Sequence, residues 1–322
     1  MVITIMKNKQ TILLCGATGF IGRNIAQNLS KIKGYKLICT YNNSKPYKLK
    51  NCTWVKVDLR NNRQVDRITK NIDIIIQAAA TTSGAKTIIS RPYEHVTDNA
   101  IMNSYLLRSS FENKIKHFIF FSCTVMYQSS NKSLKESDFN PRKELYSNYF
   151  GVGNTKLYIE KMCAFYSKIS STKFTCIRHS NIFGPFDKFD LNKSHFLGAS
   201  ITKVMNASKE IVVWGDGKEK RDLLYIDDLV NFVKLSIQNQ KKKFRIYNCG
   251  YGKSYSIEKI IKKIIKLSQK KIKVIYDTSK PTIKTSLSLN CKLAHKELGW
   301  KTKTSLDLGI LNTIKWWKAN FK

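Results

Sequence analysis

No apolar run in this chain approaches the roughly 20 residues that span a bilayer, so the sequence argues against a membrane-crossing helix. The first ten residues are too short and too polar to read as a secretory signal. Eight cysteines (Cys15, Cys39, Cys52, Cys123, Cys163, Cys176, Cys249 and Cys291) include no Cys-x-x-Cys pair, and several fall in apolar segments. That pattern favours reduced, buried thiols and a cytoplasmic setting. Neither the cysteines nor the five histidines show metal-ligand spacing, so no metal is expected. There is no internal repeat and no linker rich in Gly, Ser or Pro. Acidic residues are also scarce: 22 Asp and Glu stand against 57 Lys and Arg, a formal net charge of +35. Such a charge raises nucleic-acid or membrane-surface binding. The lysines, however, are spread along the chain, without a basic tail or a basic patch interleaved with aromatics. We read a general surface charge that draws in anionic small molecules, nucleotides included, and expect no nucleic-acid partner.

What is present is enough apolar residue for a large core. The chain has 322 residues, longer than one usual domain, and is 42% hydrophobic and 25% charged, the balance of an ordinary globular protein. The most informative stretch is Thr11-Ile12-Leu13-Leu14-Cys15-Gly16-Ala17-Thr18-Gly19-Phe20-Ile21-Gly22-Arg23. A short apolar run ends in three glycines and passes directly into a helical pattern (Ile21, Ile25, Leu29, Ile32). This predicts a buried strand, a tight turn and a helix whose free N–H groups and positive dipole end suit a phosphate.

Strand-like runs then alternate with helical ones: 35–40, 53–57, 72–80, 117–122 and 174–178 as strands, with helices over 96–112 and 156–169. Strand–helix–strand order implies right-handed crossovers and an open parallel sheet covered on both faces. After Gly184-Pro185 the loops lengthen. Helices are expected over 196–205, 226–237 and 257–267, near Leu293 and over 310–317, with one isolated strand at 244–248 able to rejoin the main sheet. The expected fold class is therefore α/β, a doubly wound parallel sheet with a smaller, interleaved C-terminal α/β domain. Residues 1–183 with 244–250 form the first domain; 184–243 and 251–322 form the second.

The ordered set Gly16-Ala17-Thr18-Gly19-Phe20-Ile21-Gly22, Asp58-Leu59, Ala78-Ala79-Ala80, Phe121-Ser122-Cys123-Thr124 with Tyr127, Lys156-Leu157 with Glu160, Arg178-His179-Ser180-Asn181-Ile182-Phe183-Gly184-Pro185, and Trp214-Gly215-Asp216-Gly217 running to Arg221 resembles the extended short-chain dehydrogenases/reductases. These are Rossmann-type, NAD(P)-dependent nucleotide-sugar epimerases, dehydratases and reductases. Within them the chain is most similar to the GDP-fucose synthases, through Asn192-Lys193-Ser194-His195, Ser279-Lys280-Pro281 to Lys284, and Leu298-Gly299-Trp300. The resemblance implies that Gly16, Thr18, Gly19, Phe20, Ile21 and Gly22 line the pyrophosphate and that Asp58 and Leu59 meet the adenine. Ala78, Ala79 and Ala80 would flank the ribose and nicotinamide side. After the second strand, Tyr41-Asn42-Asn43-Ser44-Lys45 is polar and basic where NAD-preferring members carry an acid. Asn42 and Lys45 there favour NADP, with NAD possible.

By the same resemblance Lys156 holds the nicotinamide ribose and lowers the pKa of a neighbouring tyrosine that exchanges a proton with the sugar. The family places that tyrosine four residues earlier, where this chain has Val152. Tyr149, seven residues before Lys156, is the substitute, if Gly151 and Gly153 let the helix deviate. The third catalytic position falls on Cys123, with the hydroxyls of Thr124 and Ser122 as alternatives. His195 matches the epimerising histidine of the fucose synthases, whereas their cysteine position is Val125. Asn181, His195, Trp214, Arg221 and Lys284 are the expected contacts to a nucleotide-sugar. The implied function is reduction, or epimerisation and reduction, of a 4-keto-6-deoxy hexose or heptose on GDP, by a homodimer joined through helices 96–112 and 156–169. An NAD-dependent 4-epimerase or dehydratase, and a dinucleotide-binding protein without chemistry, remain open.

Overall fold

The computed structural model describes residues 9–82, 90–191, 194–280, 282 and 285–321. In chain order the elements are β1 (Gln10–Cys15), α1 (Phe20–Leu29), β2 (Tyr35–Tyr41), β3 (Cys52–Lys56), α2 (Asn62–Ile68), β4 (Ile74–Gln77), α3 (Thr97–Glu112), β5 (His117–Phe121), β6 (Ser133–Leu134), α4 (Phe150–Ile169), β7 (Lys173–His179) and β8 (Asn181–Phe183). There follow α5 (Phe196–Asn206), β9 (Glu210–Trp214), β10 (Lys220–Tyr225), α6 (Ile226–Asn239), β11 (Phe244–Cys249), β12 (Ser254–Ser256), α7 (Ile257–Ser268), β13 (Lys273–Asp277), β14 (Ser288–Leu289), α8 (Lys292–Leu298) and α9 (Leu306–Asn320).

Seven strands form one sheet in the order β11-β7-β5-β4-β1-β2-β3, every neighbouring pair parallel. The alternation of side chains along β1 shows why its apolar run is unbroken. Ile12 and Leu14 belong to the core under α1 and α6, while Leu13 and Cys15 belong to the core under α3 and α4. Each such fully buried Leu or Ile contributes about 1.5–3 kcal/mol. Because the order in which successive strands are added reverses between β1 and β4, with β2 and β3 on one side and β5 and β7 on the other, the C-terminal strand ends there open a crevice. The isolated strand at 244–248 does rejoin the sheet, as β11 beside β7. The smaller paired strands β8-β10-β12 and β9-β13 stand apart from the seven. No described helix is long and apolar enough to cross a membrane.

Two elements differ from the sequence expectation. The apolar run 72–80 is strand only over Ile74–Gln77, because Ala78 and Ala79 turn to lie against Gly16: a Cβ there would stand 2.6 Å from Ala79 Cα. The helix expected from Lys156 begins six residues earlier, at Phe150, and runs unbroken for 20 residues. Gly151 and Gly153 therefore sit inside a regular helix. Gly153 is needed for packing, since a Cβ would lie 2.7 Å from the Leu145 side chain.

Beneath the strand ends a buried ionic network ties four elements together. Arg178 on β7 donates from Nε and Nη2 to Glu160 on α4 at 2.9 and 2.7 Å, both side chains being 4% exposed. Ser122 Oγ donates to the same carboxylate at 2.6 Å, and Arg178 Nη1 donates to Tyr127 Oη at 2.9 Å. Tyr127 in turn donates to Asn248 Oδ1 on β11 at 2.8 Å. Arg178→Met should strand the Glu160 carboxylate in the core and cost about 3–5 kcal/mol, read as a lowered urea midpoint. A loss below about 1 kcal/mol, the scale of an exposed pair, would show that the network does not hold the strand ends.

Candidate active site

The turn from β1 to α1 is shaped by close backbone approach. Gly16 has φ +73°, a conformation favouring glycine. A Cβ on Gly22 would stand 2.1 Å from Gly16 O, so helix and strand close on each other only with glycine at both positions. Gly16 N donates to Thr40 Oγ1 at 3.1 Å and Ala17 N to Thr40 O at 3.1 Å, which joins the turn to the end of β2. Thr40 was missed in the sequence; its place at the close of a β-branched strand is the only signal it gave. Helix α1 has Gly19 at its N-cap, with no side-chain capping bond and no acid in its first turn. Phe20 and Ile21 thus begin a helix whose dipole end meets no capping side chain and no first-turn acid among the described residues. Thr18 is half-buried beside them, and Ala78 N donates to Cys15 O at 3.2 Å beneath the turn.

On the β2 side Asn42 is half-buried and Lys45 exposed. Asp58 is held by Arg60, whose Nη2 lies 2.9 Å from Oδ2; this keeps its carboxyl below the usual carboxylate range. The Leu59 side chain is buried in the core beneath α3, which leaves only its backbone to face the crevice. Ala80 is exposed beyond β4.

Lys156 projects from α4 to the end of β5, where Nζ donates to Phe121 O at 2.8 Å and lies 4.7 Å from the Phe120 ring centroid. Burial lowers its pKa from the ordinary lysine value. With β5, β4 and β1 adjacent, the ammonium stands two strand spacings, about 10 Å, from the glycine turn. Cys123 is the second residue beyond the strand end. Burial pushes its thiol up, while Lys156 and the Val125 N–H draw it down. Ser122 does not share this position: its hydroxyl is buried and committed to Glu160, which removes it as a catalytic alternative. Thr124 is the hydroxyl that reaches the adjoining pocket.

That pocket is lined by Thr124, Val125, Tyr149, Asn181, Arg221 and Leu287, among others. Tyr149 is the residue before α4, so the unbroken helix leaves it two turns, about 10 Å along the axis, from Lys156. The glycine pair does not bring it back. Its phenol is raised by burial and drawn down chiefly by Arg221, so it is protonated at neutral pH beside a guanidinium. Arg221 Nη1 donates to the backbone oxygens of Lys220 (2.9 Å) and Thr285, and Asn181 Nδ2 donates to Asp222 O at 3.2 Å.

His195 is the N-cap of α5, its pKa lowered by burial and by Lys188 and His95 rather than by any group of the Tyr149 pocket. Trp214 lies on the outer face of β9 beneath Lys203 Nζ, 5.9 Å from the ring centroid, and does not line the pocket. Lys284 lies outside the described residues. Asp228 does not cap its own helix; its carboxylate accepts from Lys303 N and Thr304 N at 2.9 and 3.0 Å. Among the described residues no cluster suits a metal ion.

His179, at the end of β7, was passed over in the sequence although it stands next to Arg178. Its ring is edge-on to Phe121 at 6.2 Å, and Nδ1 donates to Ser180 O at 2.8 Å. Burial, Lys156 and His195 lower its pKa to about 4 from 6.5. Between those values the unfolded chain takes up a proton that the folded one refuses, so stability falls as pH drops through that window. His179→Asn should make the thermal midpoint less dependent on pH between 6.5 and 4. An unchanged slope would mean that the ring is not held neutral by its surroundings.

A family model described as the NAD dependent epimerase/dehydratase family matches residues 12–250. GDP-L-colitose synthase of Yersinia pseudotuberculosis is 30% identical over 95% of this chain and 97% of its own. GDP-L-fucose synthase of Escherichia coli is 23% identical over 97% of this chain and 98% of its own. Among solved structures, UDP-glucose 4-epimerase of Thermotoga maritima superposes with a TM-score of 0.86 at 22% identity, covering 97% of this chain and 100% of that one.

Proposed function

Because the chain belongs to the NAD-dependent epimerase/dehydratase family, we propose that it is a cytoplasmic, NADP-dependent reductase or epimerase-reductase of a 4-keto-6-deoxy sugar carried on GDP. The observation that supports this most is the Lys156 ammonium, fixed on Phe121 O at the crevice edge two strands from an uncapped glycine turn. The residues present fit a dinucleotide: a backbone cradle that any Cβ would fill, a helix N-terminus for the pyrophosphate, and a lysine for the nicotinamide ribose. The two relatives named as acting on GDP-sugars support the substrate class. The basic loop at Asn42 and Lys45 supports NADP.

When bound, the reduced nicotinamide supplies a hydride to the keto carbon. The chain's own part is to give that carbon's oxygen a proton. Tyr149, kept protonated by burial, donates it from the pocket wall, and Arg221 stabilises the phenolate left behind. Thr124 hydrogen-bonds the same oxygen, and Cys123 extends the edge toward Lys156. Arg221 also grips the diphosphate, with Asn181 on the sugar. His195 exchanges the proton at a ring carbon beside the ketone when epimerisation accompanies reduction.

Purified protein with NADPH should lose absorbance at the nicotinamide band when given a 4-keto-6-deoxy sugar on GDP. Lys156→Ala and Tyr149→Phe should each lower kcat about 100-fold or more. An active Tyr149→Phe enzyme would remove the phenol as donor. Val152 and the regular course of α4 favour one second reading, a dinucleotide-binding protein without turnover. Tight NADPH binding with no consumption on any 4-keto nucleotide-sugar would select it.

The homodimer is proposed through α3 and α4, which pack side by side and expose Phe111, Tyr158, Phe165 and Ile169 to solvent. An exposed apolar stripe of this kind calls for a covering surface. Phe165→Lys should convert a dimer to a monomer in light scattering; a wild type that is monomeric at micromolar concentration would exclude this contact.

A further inference from the structure

The first turn of α1 holds a cation whose polar edge nothing among the described residues answers. Arg23 stands one helical turn beyond Gly19. Its guanidinium carbon lies 4.2 Å from the centroid of the Tyr47 ring and 4.0 Å from that of Phe186. A guanidinium is a flat fork of five N–H donors. Stacked between two rings, its faces are covered and only its edge remains for hydrogen bonds. Among the described residues that edge meets no acceptor: no carboxylate pairs with it, and Nε is buried without a partner. An unpaired buried donor costs about 1–3 kcal/mol.

The side chain is nevertheless held from both sides. Tyr47 Oη lies 3.4 Å from Ala17 O and from Arg23 O, which ties the ring to the glycine turn, and the ring packs edge-on against Trp54 at 5.0 Å. On the other flank, Asn24 Nδ2 donates to Pro185 O at 2.9 Å. The next residue, Phe186, has φ +69° and meets the Trp316 ring at 5.0 Å. Side-chain entropy has thus been surrendered to aim a charged fork that has no partner. The same helical turn has no capping side chain and no acid, so no acceptor for the fork is found among the described residues.

We infer that Arg23 is a phosphate ligand, gripping an oxyanion of the dinucleotide with its free edge. Phosphate oxygens match the fork pairwise, and the helix N-terminus adds its field to the same charge. The inference rests on the dinucleotide reading of the glycine turn. The oxyanion has two sources in such a ligand, the pyrophosphate and an adenosine 2′-phosphate.

Full-length protein would be titrated with NADPH, NADH, ADP-ribose and 2′,5′-ADP, comparing wild type with Arg23→Met, which keeps an apolar stem between the rings but removes the fork. Affinity should fall at least tenfold. A loss confined to NADPH and 2′,5′-ADP assigns the 2′-phosphate; a loss shared by NADPH, NADH and ADP-ribose assigns the pyrophosphate. Should Arg23→Met not fold, Arg23→Gln provides the same comparison. If wild type binds and the variant binds all four equally well, Arg23 is a packing residue and the inference is overturned. If wild type binds none of them, the dinucleotide reading itself has failed, which is a different result.

Discussion

Two missing methyl groups set the geometry on which the rest depends. A Cβ on Gly16 would lie 2.6 Å from Ala79 Cα, and one on Gly22 would lie 2.1 Å from Gly16 O. Strand β1, helix α1 and the segment leaving β4 therefore meet in backbone contact, with no side chain between them. Everything that faces the crevice takes its position from that contact. It brings the N-terminus of α1 down to the sheet, and it turns Ala78 and Ala79 out of the strand to form a wall. It also places the β2 end, through Thr40, on the opposite flank. A larger residue at either glycine would push the helix off the strand and open the crevice at its narrowest point.

The second constraint lies below the crevice. Lys156 lies in the second turn of α4 and Cys123 just beyond β5, and one turn further along α4 Glu160 is bonded to Arg178 of β7. A buried pair of this kind gains little net stability over an apolar substitute. Its value is directional: each of its four charge-assisted or hydroxyl bonds has one geometry, whereas apolar contacts would allow the strand ends to slide. Ser122 illustrates the consequence. A hydroxyl that reads in sequence as an alternative to Cys123 is withdrawn from the crevice because it donates to the carboxylate beneath.

The sequence displayed the sheet well, because a strand buried on both faces carries a run of consecutive apolar residues, as Ile12 to Cys15, Ile74 to Ile76 and Phe118 to Phe121 do. It displayed the glycine turn for the same reason, since close backbone approach restricts residue type. It was poor wherever position depends on distant chain. The start of α4 was placed six residues late, because Phe150 to Thr155 carry two glycines and only partner packing, such as Gly153 against Leu145, makes them helical. Leu59 was read as an adenine contact although it completes a core formed by residues from α2, α3 and α4. Trp214 was read as a base contact, whereas the pleat of β9 turns it outward. His179 escaped notice because nothing local marks it; its chemistry comes from Phe121 and Lys156 on neighbouring elements.

The shift of the tyrosine changes which cation it answers to. With Val152 one turn before Lys156, no phenol among the described residues is recorded against the ammonium, which donates to Phe121 O and draws down the Cys123 thiol. The phenol that is present, Tyr149, lies two turns away and faces Arg221. A guanidinium remains charged at any working pH, whereas a buried ammonium already has its proton loosened. Tuning by Arg221 therefore makes the acidity of Tyr149 depend on whatever anion shares that guanidinium. A diphosphate drawn into the same pocket would neutralise the charge that favours the phenolate. The phenol would then hold its proton more firmly, so its strength as an acid depends on how that guanidinium is shared between the phenolate and the anion. The change of partner, from an ammonium to a guanidinium, follows from a displacement of three residues along the chain.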